Sequence, residues 1–334
     1  MANGIPKHAG QRLDYCKPES QNRTVMHRHI YIKSPADGLG LNTTVISVND
    51  SPKGVLLFIH GLCGKTERML PTMEHFSDKG YACVGFDMRG HGNSVRQEED
   101  RGYTYKGGRN AMVMDIQGVI GWINSNFPRT PIFIIAHSMG SLAARAYLKG
   151  DDTHIKGLII CGSPSYNPMS PFAWFIMQVY NEASGGRTRP ERLQKLVSDI
   201  YNKEFEDEGH QAWMCSDPEE RKRFLEDPEC NYTCTTDCML TLLSLMKDTY
   251  SKKGWHMANP SLPILFISGE EDACMISMKD FHKSAGFLNK VGYTDVHSII
   301  YTDMRHEVLH EIGKENVWNE IEKFISISGE RQDG

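Results

Sequence analysis

Residues 132–148 read IFIIAHSMGSLAARAYL. The apolar run Ile132 to Ala136 has the length and β-branched content of a strand buried on both faces. From Met139 onward, small and apolar residues recur at helical spacing. Ser138 stands at the junction. A serine there either caps the helix or is a nucleophile carried on a tight strand-to-helix turn. Such a turn brings strand and helix backbones close together, so it needs small residues on both sides of the serine. Ala136 and Gly140 supply them. The usual form of the turn is G-x-S-x-G, and here the first glycine is replaced by Ala136. On these residues alone both readings stay open.

Working outward, similar apolar runs recur. They are Val55 to Ile59, Tyr81 to Phe86, Ile155 to Cys161, Leu262 to Ser268 and Val296 to Tyr301. Helix-length segments lie between them: 65–79, 107–126, 138–149, 280–291 and 315–326. Strands alternating with helices predict an α/β protein with a mostly parallel sheet covered on both faces. His29 to Lys33 and Thr43 to Val48 read as two short antiparallel strands ahead of it. Residues 1–26 are polar and aperiodic and read as an N-terminal arm. One interval breaks the alternation. Residues 163–260 hold apolar PFAWFIMQVY, then Gly185-Gly186, then charged helix-like stretches. A structureless loop of that length is improbable in a compact domain. The expected division is therefore a core of residues 27–162 and 261–334, with a helical insertion at 163–260.

The chain has 334 residues, 24% of them charged, and a formal net charge of -5. No basic stripe suggests nucleic acid as a partner. The start, MANGIPKHAGQRLDY, lacks the apolar core of a secretory signal. No run of about 18 apolar residues predicts a spanning helix. Nine cysteines, an odd number, include Cys83 and Cys161 inside strand-like runs. They read as small buried hydrophobes in a reducing cytoplasm.

Three further pieces each follow a predicted strand. His60-Gly61-Leu62 follows Val55 to Ile59. There, a backbone N–H of Leu62 could form half of an oxyanion hole, with the N–H of Met139 as the other half. Gly61 could equally serve an ordinary turn. Ser268-Gly-Glu-Glu-Asp272 puts acids at the carboxyl end of a strand, where open α/β sheets place their sites. Asp272 is the favoured partner for a histidine, with Glu270, Glu271 and Asp303 in competition. Met304-Arg-His-Glu-Val-Leu-His310 offers His306 as a general base, with His310 as the alternative. The chain order Ser138, Asp272, His306 is the Ser…Asp…His order of α/β-hydrolases.

The motifs HGLCG (60–64), DMRGHGNS (87–94), AHSMGS (136–141), SGEEDACM (268–275) and MRHEVLHE (304–311) carry a closer likeness. Over roughly residues 28–328 the chain resembles the α/β-hydrolase superfamily. Within it, the likeness is to the monoglyceride lipase and lysophospholipase group of serine hydrolases. The resemblance implies an α/β-hydrolase fold with about eight strands and a helical cap formed by the insertion. It implies two-step hydrolysis of a carboxylic ester. His306 takes the proton of Ser138, Leu62 and Met139 hold the oxyanion, and Asp272 fixes the imidazole tautomer. It implies a small-molecule acyl ester as substrate and no cofactor. Asp87, Arg89 and His91 match a structural loop.

The apolar stretch with Phe172, Phe175 and Met177 reads as an acyl-binding wall, a lip in transient contact with a membrane surface, or cap core. His60 joins these three as a candidate substrate contact. Cys230, Cys234 and Cys238 would share one face if helical, and their spacing does not match zinc patterns. No metal is expected. An aminopeptidase or a thioesterase on the same fold remains the alternative. Glu182, Glu204, Glu206, Asp207 or Glu208 could then hold a free amine. A non-catalytic binding protein is the third reading.

Overall fold

The computed structural model describes residues 25–48 and 51–330. The predicted arm, residues 1–26, lies outside them except for Val25 and Met26, which open the first strand.

The strands are β1 (Val25–Lys33), β2 (Gly40–Val48), β3 (Val55–Ile59), β4 (Ala82–Phe86), β5 (Ile132–His137), β6 (Gly157–Cys161), β7 (Ile264–Gly269) and β8 (Val296–Tyr301). They form one eight-stranded sheet in the order β1-β2-β4-β3-β5-β6-β7-β8. β1 pairs antiparallel with β2, and β2 with β4; every other pairing is parallel. The central strands β3 to β7 are buried along their whole length. That is why they read as unbroken apolar runs rather than as alternation.

The helices are α1 (Leu70–Asp78), α2 (Gly108–Asn126), α3 (Met139–Leu148), α4 (Ser170–Ser184), α5 (Glu191–Asn202), α6 (Pro218–Glu226), α7 (Thr236–Thr249), α8 (Met278–Val291) and α9 (Lys314–Glu330). Ile116, Val119, Leu142, Phe281 and Leu288 of α2, α3 and α8 pack on one face of the sheet. Met73, Phe76, Val317 and Ile321 of α1 and α9 pack on the other. Both faces are thus closed to water, as a parallel sheet requires. Four helices, α4 to α7, fall between β6 and β7, and α7 joins the main core through Leu245. Among the described residues, no helix is long and apolar enough to cross a membrane.

One expectation needs correction. The opening hairpin is longer than predicted, with its register running from Val25↔Val48 to Lys33↔Gly40. Its outer strand β1 lies at the sheet edge with its polar residues partly exposed, so it lacks the apolar signal that marks buried strands. Cys230, Cys234 and Cys238 do not share a helix. Thr235 caps α7 by accepting from the Cys238 N–H at 3.3 Å, so the helix starts at Thr236. The three thiols meet instead in a small buried cluster with Cys63, Met214 and Phe224. The eight described cysteines are all buried and unpaired.

Candidate active site

Parallel pairing aligns the carboxyl ends of the central strands. Ile59 faces Ala136, His137 faces Cys161, and Gly269 faces Tyr301. The loops beyond these ends therefore converge on one edge, where the Ser138, Asp272 and His306 side chains meet.

Ser138 lies between β5 and α3 with φ 51 and ψ -121. A non-glycine residue in this region stores about 1–3 kcal/mol of strain. The surroundings hold it there. Its N–H donates to the Cys161 carbonyl at 3.0 Å, and its own carbonyl accepts from the Ser141 N–H at 3.0 Å. A Cβ on Gly140 would lie 2.3 Å from the His60 carbonyl oxygen, so the close approach of α3 to β3 requires glycine. The methyl of Ala136, fully buried in β5, is accommodated.

His306 is 3% exposed, and its Nε2 lies 2.9 Å from the Ser138 Oγ. Its Nδ1 lies 2.9 Å from Asp272 Oδ1. With Asp272 ionised, Nδ1–H donates to the carboxylate and Nε2 is left to accept from the serine hydroxyl. Asp272 caps a short 3-10 turn and accepts from the Cys274 N–H at 2.8 Å and the Ser268 hydroxyl at 3.0 Å. Burial alone would neutralise this pair. The opposite charges overcome it, so Asp272 is held below the usual carboxylate value and the imidazole is raised above its own. Burial pushes the neighbouring Cys274 thiol up, so it stays neutral.

The competing residues stand elsewhere. Glu270, Glu271 and Asp303 are exposed. His310 has Nδ1 2.6 Å from Glu307 and donates from Nε2 to the Arg68 carbonyl at 2.9 Å. Met139 opens α3, where the first N–H groups have no intrahelical acceptor. Leu62 lies in the turn after β3 and is half-buried. His60 is buried and its Nε2 accepts from the Met88 N–H at 2.9 Å, which ties two loops together. On α4, Phe172 and Phe175 point outward, 59% and 60% exposed, while Met177 is buried.

Among the described residues, Asp272, Cys274 and His306 form the one group whose donor atoms could gather around a metal ion. Two of them are already bonded to each other in the relay to Ser138. Arg89 is buried against Asp115 at 2.6 Å, and Asp87 accepts from the Thr66 and Asn93 N–H groups. These residues brace the loop after β4.

Sequence reasoning missed Trp213, whose indole lies 5.3 Å from the His306 ring, centroid to centroid. It comes from the interval between β6 and β7, which carries no local signal of what it will touch. Arg305 could have been singled out, since it adjoins the candidate base.

The fold and this arrangement define a hydrolase of the α/β-hydrolase class. The chain belongs to the Hydrolase_4 family, described as serine aminopeptidase, S33, whose family model matches residues 50–313. It is 20% identical over 290 residues to the monoacylglycerol lipase of Mycolicibacterium smegmatis, covering 86% of this chain and 93% of that one. A thermostable carboxyl esterase from Bacillus coagulans superimposes with a TM-score of 0.81 at 22% identity, over 91% of this chain and 99% of that one. A soluble variant of monoglyceride lipase from Saccharomyces cerevisiae does so with a TM-score of 0.69 at 17% identity, over 93% and 97%.

Proposed function

We propose that the protein is a carboxylic-ester hydrolase that cleaves single-chain acyl esters, of the monoacylglycerol or lysophospholipid kind, through a Ser138 acyl-enzyme. The observation that carries this reading is the continuous relay Asp272–His306–Ser138, with 2.9 Å at each link. Ser138 Oγ attacks the ester carbonyl and its proton passes to His306 Nε2. The N–H groups of Leu62 and Met139 hold the oxyanion. The alcohol leaves with the proton from His306, and water then releases the acid by the same route.

Residues 27–162 and 261–334 form the catalytic core of this reading and residues 163–260 its cap. The relatives named above favour a lipid-like ester. So does the cap surface. Met169, Phe172, Phe175, Ile176 and Val179 of α4 and its N-cap are exposed, as are Leu193, Leu196, Val197 and Ile200 of α5. Two outward apolar stripes fit transient contact with a lipid surface that carries the substrate. The eight unpaired thiols favour a reducing, cytoplasmic setting. The family description keeps an aminopeptidase in view, and that activity needs an acid to hold the free amine. Glu208 is committed to Arg305 and Arg221, which weakens it for that role.

The test is hydrolysis of p-nitrophenyl esters from C2 to C16, wild type beside Ser138→Ala. The expected result is activity that the substitution lowers by on the order of 10⁴–10⁶ in kcat. Wild-type inactivity on every ester, with Ser138 still labelled by a serine-directed probe, would sink the ester reading and turn attention to aminoacyl and thioester substrates.

A further inference from the structure

The segment 203–216 of the cap is fastened to the loop that carries His306, and it is fastened through the residues on either side of that histidine. Arg305 grips Glu208 with both ends of its guanidinium, at 2.5 and 2.9 Å. It also donates to the Ala212 carbonyl at 2.8 Å and to Glu271 at 3.2 Å, and it stacks 3.9 Å above the Phe205 ring. On the other side, the Glu307 N–H donates to the Met214 carbonyl at 2.8 Å. The Glu311 carboxylate accepts from both the Arg305 N–H and the Ser216 N–H, each at 2.9 Å. These bonds set the segment in register with the base itself.

At the centre of the fastened segment is Trp213. Its ring sits between His306, at 5.3 Å and a tilt of 40°, and Tyr201 of α5, at 5.0 Å. Its Nε1–H donates to Gln211 at 2.7 Å, and its backbone N–H donates to Asn202 at 3.1 Å, so the indole is fixed at several points.

We infer that Trp213 is a positioning residue of the base. The Arg305–Glu208 clasp holds the indole against His306, where it shelters and steadies the imidazolium formed as Ser138 gives up its proton. An indole within about 6 Å of a cation attracts it, more strongly where water is excluded. The role rests on the reading of His306 as general base, so it belongs to proton transfer and is blind to acyl length.

The experiment compares Trp213→Ala, Trp213→Phe and Glu208→Gln with wild type. Two readouts are taken. One is the rate at which an alkyl fluorophosphonate labels Ser138, in which Oγ bonds to phosphorus, its proton passes to His306 and fluoride leaves. The other is kcat and KM for p-nitrophenyl acetate and octanoate. Trp213→Ala is expected to slow labelling and both kcat values by about tenfold, with KM for the acetate unchanged. Trp213→Phe restores most of the rate, and Glu208→Gln falls between. A loss that grows with chain length makes Trp213 an acyl wall and overturns the inference. Equal losses in the Ala and Phe variants, or no loss, overturn it too. If Trp213→Ala does not fold, as its melting curve will show, the Phe and Gln variants decide. Labelling needs no ester, so a failed ester reading leaves this test intact.

Discussion

At Gly140 a side chain would collide with backbone on two sides, 2.3 Å from the His60 carbonyl oxygen and 2.7 Å from that of Ile59. Neither oxygen can swing away as a side chain could. Gly140→Ala is therefore expected to cost about 1–3 kcal/mol of stability and to pull Ser138 out of line. Thermal unfolding and fluorophosphonate labelling, measured together, check both effects. A different residue governs pH dependence. The Asp272 carboxylate favours the protonated form of His306 and so raises its affinity for a proton. In the proposed mechanism the active form needs neutral Nε2, so the rate is expected to rise with pH as the imidazole loses its proton. Asp272→Asn removes the charge. The acidic limb of the pH–rate profile should move to lower pH while kcat falls by about 10⁴. An unmoved limb would argue that the two residues are not coupled in solution. Ser138, Asp272 and His306 could be picked out from sequence because each follows an apolar run. The sequence favoured Asp272 over Glu270, Glu271 and Asp303, and burial separates them: Asp272 is buried and the other three are exposed. Trp213 was invisible, since its partner lies far along the chain.

At the scale of the element, α5 is the instructive case. Leu193, Leu196, Val197 and Ile200 recur at the spacing that ordinarily marks the buried stripe of a helix. Here they face out, and the inward side carries Tyr201 together with polar residues. Gln194 donates to the Tyr232 carbonyl at 2.9 Å, Ser198 donates to Gln211 at 3.2 Å, and Asn202 donates to the Gly209 carbonyl at 2.8 Å. Periodicity finds such a helix but cannot say which side points in. α4 divides similarly. Trp174 is anchored to Ser244 of α7 at 2.9 Å and Met177 is buried, while Phe172 and Phe175 stand outside. The sequence reading left wall, lip and cap core open for this helix, and its residues divide between an inner and an outer side. If the outer stripes meet lipid, Leu196→Glu with Ile200→Glu should reduce the fraction of protein that floats with phospholipid vesicles. Both positions are exposed, so the melting temperature should change little. Unchanged flotation would assign the stripes some other role.

The whole molecule was legible in outline because buried parallel strands announce themselves as short apolar runs and the helices between them keep a different period. What could not be read was the length of the edge hairpin and the way the segment 203–216 returns to the His306 loop. Both depend on partners distant in sequence. The strand order has a further consequence. β6 and β7 are neighbours in the sheet, yet roughly a hundred residues separate them in the chain. During synthesis at about 5–20 residues per second, the edge of β6 therefore waits about 5–20 seconds for its partner. An open edge of that kind invites pairing with another chain. In the proposed mechanism the nucleophile emerges from the ribosome early, the acid and the base late. On that mechanism a nascent or prematurely terminated chain carries Ser138 without a proton acceptor, and hydrolytic competence arrives only with the last strands to be made.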